Sequence, residues 1–255
     1  MKRKLAFLLA LCLLTAVLPF GFSEITSAST EEFLIGIYWP PPAAYTNDTQ
    51  YDYIKDAHIN YIINVDTTDI DTQAQNMAIL DKCAERGIKY VVCDSAFAPV
   101  SSLTNAQIDA YANIYKNHPA LGGFYVRDEP PASQFSTYAA KYDRFLFNVP
   151  GSNNYLNLVG STDIRGFINA FIDSVGASNL KYLCHDYYPW QTQTDIAPAF
   201  FEVLGAYRTA ALQRNLKMAN FLQSVSWGGT SRRPNANELR YDVFCNLAYG
   251  AKALY

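Results

Sequence analysis

Eight short runs rich in β-branched and aromatic residues recur from Phe33 onward, each separated from the next by a longer stretch with helical spacing. They read FLIGIYW (33–39), YIINV (61–65), KYVVCDS (89–95), LGGFYVR (121–127), YLNLVG (155–160), KYLCHDYY (181–188), MANFLQSVS (218–226) and KALY (252–255). Strands this apolar need cover on both faces, and intervening helices supply it when the strands run parallel with right-handed crossovers. Eight of them predict a TIM (β/α)8 barrel. An open doubly wound sheet is the alternative, but no GxGxxG follows the first strand and no phosphate-cradling glycine loop occurs elsewhere.

The intervening stretches carry their own punctuation. In DTQAQNMAILDKCAERG (71–87) the positions Ala74, Met77 and Ala84 recur at helical spacing, and Gly87 supplies a left-handed stop. Thr104 and Gln107 have capping-box spacing, Ile108, Tyr111 and Tyr115 line one face, and Pro119 ends that helix; Asn235 and Glu238 repeat the cap before Gly250. FLFNVPGSN (145–153) is open to either reading, a helix end or a strand of its own. The eighth strand begins at Lys252 and reaches only Tyr255, so the sequence predicts an open parallel edge and a barrel truncated there, as in a fragment.

The first residues, MKRKLAFLLALCLLTAVLPFGFSEITSAST, have a basic head, an apolar run and small residues suited to a signal peptidase. This predicts a signal peptide over 1–28, cleaved after Ser23 or Ala28, with the barrel over 29–255 secreted to the periplasm or the exterior. An uncleaved anchor is the lesser alternative, the apolar run being short for a membrane span. The chain has 23 acids and 20 bases, three of the bases in the leader, so the remainder is mildly acidic and unsuited to nucleic acid or an anionic membrane. Cys83, Cys93, Cys184 and Cys245 show no CxxC pairing and fall mostly on apolar faces, which predicts free buried thiols. Nineteen Tyr and 15 Phe favour a rigid body with flat aromatic surfaces.

Chemistry in such a barrel sits where strands end. The fourth run passes straight into Arg127, Asp128 and Glu129 and is closed by Pro130 and Pro131. A helix start would account for carboxylates followed by proline without any function. Yet all three tryptophans also fall just beyond strand ends, Trp39 after the first, Trp190 after the sixth and Trp227 after the seventh, joined by Tyr38, Tyr187 and Tyr188. Flat rings beside polar groups suit a sugar, whose C–H faces stack while its hydroxyls seek carboxylates and amides. Asp94, Asn157, Asp186 and Gln223 lie at the same level, although a lone Asp after a strand is usually an N-cap.

GGFYVRDEP on the fourth strand, HDYYPW on the sixth, FLQSVSWGG on the seventh and ELRYDVFCNLAYGAKALY leading into the eighth resemble secreted TIM-barrel glycoside hydrolases. They resemble most the superfamily whose general acid is a Glu ending the fourth strand, and the likeness spans about Phe33 to Tyr255. It implies that Glu129 donates the proton to the glycosidic oxygen. Two positions depart from the double-glutamate pattern: Asp128 precedes the acid where Asn is usual, and the seventh strand offers Gln223 where a nucleophilic Glu would stand.

Two routes stay open for the second carboxylate. Asp186, two strands from Glu129, could activate a water across a gap wide enough for inversion. Alternatively, Asp128 could orient a 2-acetamido group that attacks from the substrate itself, with Tyr187 or Tyr188 holding it. Arg127 is expected to pair with an acid such as Asp94, and His185 to face the helix layer. His58 and His118 stand alone, with no HExxH, so no metal and no cofactor is expected. The rival to a glycoside hydrolase is a non-catalytic carbohydrate-binding barrel. Phosphate or aldol chemistry lacks both a phosphate loop and a strand-ending lysine.

Overall fold

The computed structural model describes residues 32–193 and 196–255. The leader expected over residues 1–28 lies outside them. Eight parallel strands close into a barrel in chain order: β1 Leu34–Tyr38, β2 Tyr61–Ile63, β3 Lys89–Val92, β4 Leu121–Arg127, β5 Tyr155–Leu158, β6 Tyr182–Asp186, β7 Lys217–Phe221 and β8 Ala251–Leu254. Helices α1 Asp48–Asp56, α2 Gln73–Ala84, α3 Asn105–Tyr115, α4 Phe135–Asn148, α5 Ile164–Val175, α6 Phe200–Arg214 and α7 Ala236–Ala248 make the crossovers. This is a TIM barrel. None of the described helices is long and apolar enough to cross a membrane.

The expected open edge is absent. Ala253 and Leu254 pair with Leu34 and Ile35 of β1, and Leu254 also faces Asn220 of β7. Every strand here is short, so four residues suffice for a rung on each side. Tyr255 extends the pairing along β7, its carbonyl accepting from Leu222 N at 2.8 Å. Its ring lies over Gly36, where any Cβ would collide with it, and stacks on Tyr61 at 5.7 Å between centroids.

Alternation along each strand divides the core into two layers. Tyr61, Ile63, Val91, Tyr125, Tyr155 and Phe221 fill the barrel interior, while their neighbours Ile62, Tyr90, Val92, Phe124 and Leu156 pack outward against the helices. Capping boxes form at Thr72/Gln75, Thr104/Gln107 and Asn235/Glu238. FLFNVPGSN resolves as the end of α4, because Tyr138, Ala139, Tyr142 and Phe145 repeat at helical spacing and are all buried. Cys83, Cys93 and Cys184 are buried free thiols, and Cys245 is a half-buried one.

Candidate active site

The end of β4 is not a helix start. Helix α4 begins only at Phe135, after a short turn over Ala132–Gln134, so Asp128 and Glu129 lie outside its first turn. Instead the chain leaves the strand sharply. Glu129 has φ +47°, a left-handed backbone that a residue with a side chain adopts at a cost of order 1–3 kcal/mol. It is held there by its amide, which donates to the Asn157 carbonyl at 3.1 Å. The kink lets two consecutive residues face one cavity, which a regular strand forbids.

Asp128 is gripped by three donors. Tyr38 OH donates to Oδ2 at 3.0 Å, and Tyr155 OH and Asn157 Nδ2 donate to Oδ1 at 2.8 and 3.2 Å. Burial first, and then the Asp128 charge, pushes both phenols well above the usual tyrosine range, so they stay donors. The Asp128 amide in turn donates to Tyr125 OH at 3.2 Å.

Asp186 ends β6 buried, at 6 % exposure, and lines the same cavity as Glu129. Burial, then the Glu129 charge, push its pKa up to about 8, against a smaller opposing effect of Tyr188. A carboxyl pushed up by burial is poorly suited to be the base of the inverting reaction expected of Asp186.

These groups line a cavity of about 570 Å³ at the C-terminal mouth of the barrel. Its walls are aromatic: Tyr38 stacks on Trp39 at 6.0 Å between centroids, and Tyr188 packs on Trp227 at 4.2 Å. Trp39 and Trp227 are 52 % and 56 % exposed, as rings awaiting a partner would be. Trp39, like Glu129, has a left-handed backbone, with φ +76°.

Several expected site residues lie elsewhere. Asp94 is buried and caps the turn after β3, accepting from Ala96 N at 3.0 Å and Tyr115 OH at 2.7 Å; it is an N-cap and does not line the cavity. Gln223 is fully buried and clasps two loops. Its Oε1 accepts from Trp190 N at 2.8 Å, and its Nε2 donates to the Trp190 and Arg232 carbonyls at 3.0 and 2.7 Å. Trp190, 4 % exposed, lies under that clasp with the Arg232 guanidinium over its ring, and so is a packing residue. Tyr187 turns outward onto Phe200, leaving Tyr188 to face the cavity. Arg127 pairs with Asp66 at 3.7 Å, not with Asp94. His185 stacks on Tyr207 at 3.6 Å in the helix layer, where burial lowers its pKa to about 3. No group of His, Cys, Asp and Glu among the described residues is placed to hold a metal ion.

Sequence reasoning missed Tyr155, Phe221 and Tyr255, all of which line the cavity. Tyr155 carried a usable signal, since it lies two residues before Asn157 and so on the same strand face.

No family model and no curated protein matches the sequence. Solved structures match the fold. A Thermobacillus composti GH10 xylanase is 14 % identical, with TM-score 0.58, over 88 % of this chain and 83 % of its own. A glycoside hydrolase of family 5 from Bacteroides vulgatus is 13 % identical, with TM-score 0.61, over 87 % and 57 %. An HpcH/HpaI aldolase from Desulfitobacterium hafniense is 12 % identical, with TM-score 0.52, over 88 % and 85 %. At these identities the likeness is one of fold, shared by glycoside hydrolases and aldolases alike.

Proposed function

We propose that this chain is a glycoside hydrolase whose proton donor is Glu129, beside the buried Asp186. The observation that carries the reading is that Asp128, Glu129 and Asp186 line one aromatic-walled cavity at the C-terminal end of the barrel. Glu129, the exposed member, faces the substrate and passes the proton to the glycosidic oxygen. Donation leaves Glu129 as a carboxylate, which takes a proton back from the water that completes the reaction. Asp128 is the separate carboxylate, fixed by Tyr38, Tyr155 and Asn157 where positive charge develops on the sugar ring.

This reading accounts for the left-handed backbone at Glu129, which a packing role would not require. It also favours glycoside chemistry over that of the aldolase-like neighbour, since no Lys or Arg among the described residues lines the cavity to hold a phosphate or a keto acid. Secretion, expected from the leader, belongs to the same proposal, because it would place the enzyme among polymeric glycans. The test is turnover on a panel of aryl glycosides and polysaccharides, with wild type set against Glu129→Gln. Hydrolysis by the wild type that the variant loses, with glycan binding kept, is expected. Binding without hydrolysis in the wild type would instead make the protein a carbohydrate-binding barrel.

A further inference from the structure

Three of the cavity's donors are already engaged, Tyr38, Tyr155 and the Asn157 amide all donating to Asp128. Two of its buried acceptors are not. Asn157 Oδ1 and Asp186 Oδ1, on side chains of residues only 1 % and 6 % exposed, have no donor at all. Buried acceptors left this way are costly unless a ligand supplies the missing N–H or O–H.

Charge and shape point the same way. Asp128, Glu129 and Asp186 line the cavity, and no Lys, Arg or His does so among the described residues. Arg127, next to Asp128 in the chain, is turned toward Asp66 and a separate small hollow. The rings of Tyr38, Trp39, Tyr188 and Trp227 surround these acids. Carboxylates among aromatic faces form the setting in which an ammonium is held, by its charge and by cation–π attraction. A uronic acid or a sugar phosphate would instead meet repulsion.

Resting on the glycoside hydrolase reading above, we propose that the substrate is a cationic glycan: a chain of amino sugars whose amines are free and protonated, one ammonium seated among Asp128, Asn157 and Asp186. A chain is favoured over a small amine because two aromatic pairs stand at the mouth with half-exposed tryptophans, each a platform for a sugar ring.

The experiment is calorimetric titration of the protein with glucosamine and galactosamine oligomers, their N-acetylated counterparts, cello-oligosaccharides and oligogalacturonates, with reducing-end release measured alongside. Amine oligomers are expected to bind at least about tenfold tighter than acetylated or neutral ones, a ratio within reach of one desolvated cation–π contact. That preference should shrink as salt is raised and in Asp128→Asn. Salt dependence of the wild type decides the matter should the variant fail to fold. Equal or tighter binding of neutral, acetylated or uronate chains overturns the proposal, and so does tetramethylammonium binding as tightly as the oligomers. Preference for amines without cleavage of any glycan would overturn the hydrolase reading and leave the recognition standing. Cleavage of neutral chains as readily as amine chains would do the reverse.

Discussion

Asp186 and Glu129, from strands two apart in the barrel, line one cavity at its mouth, the first buried and the second exposed. Glu129→Gln is expected to lower kcat by two to four orders of magnitude, the usual contribution of proton transfer, with glycan affinity little changed. Turnover at the wild-type rate in a folded Glu129→Gln would remove Glu129 from the chemistry.

The backbone at Glu129 makes a second, opposite prediction. Glycine adopts φ +47° without strain, so Glu129→Gly should be inactive yet more stable, by about 1 kcal/mol. Denaturant unfolding measures this directly. A loss of stability would mean that the Glu129 side chain holds the loop.

Titration gives a third. Asp186 and Asp242 are both pushed up, chiefly by burial, to about 8 and about 7 from the ordinary 3.8. Between those limits the folded protein holds protons that the unfolded chain releases, so stability is greatest at the acid end of the window and falls as pH rises through it. Asp242→Asn should flatten that fall below about pH 7 and leave its upper part, which is due to Asp186, without touching the cavity. Melting temperatures measured from pH 5 to 9 that rise throughout would contradict the assignment. In the active enzyme kcat/KM should decline above about pH 8, as Asp186 loses its proton and adds a second charge beside Glu129.

The tryptophans should divide by burial. Trp39→Ala and Trp227→Ala remove half-exposed rings and should weaken glycan binding by about 1–3 kcal/mol with little loss of stability. Trp190→Ala removes a buried ring under the Gln223 clasp and should cost about 3–5 kcal/mol of stability. Equal destabilisation by all three would put the rim tryptophans in the core.

Product stereochemistry by NMR addresses Asp128. With Asp186 buried and pushed above the usual carboxylate range, Asp128 remains as the second carboxylate for the reaction. Net retention is expected, and Tyr155→Phe, which frees one Asp128 oxygen from its donor, should slow turnover at least tenfold, about 1.4 kcal/mol. Inversion would return the second role to Asp186.

The barrel was legible because period and punctuation agree. Buried Tyr61, Ile62 and Ile63 fill both faces of a strand, and Thr104 with Gln107 marks a helix start that the fold uses as written. The site was legible only in part. Asp128, Glu129, Asp186, Trp39 and Trp227 were found from their positions at strand ends. Which of them touch depends on strand tilt and stagger, and single-strand patterns carry neither. Asp94, Trp190 and Gln223 sit at the same level and turn away, because loop backbones needed a cap and a clasp there. The left-handed turns at Trp39 and Glu129 left no glycine to read.

The seam between β1 and β8 has a dynamic consequence. Its register spans only Leu34 and Ile35, whereas β6 and β7 pair along the whole run from Tyr182 to Asp186. A ring opens where its ladder is short, so this joint, like the equally short β4–β5 and β5–β6 joints, should breathe before the β6–β7 joint, and its amides should exchange with solvent sooner. Tyr38 lines the cavity from one side of the joint and Tyr255 from the other. A sugar lying against both would act as a brace across it, and slower exchange at Gly36 and Leu254 in the bound protein would register occupancy even where no bond is cut.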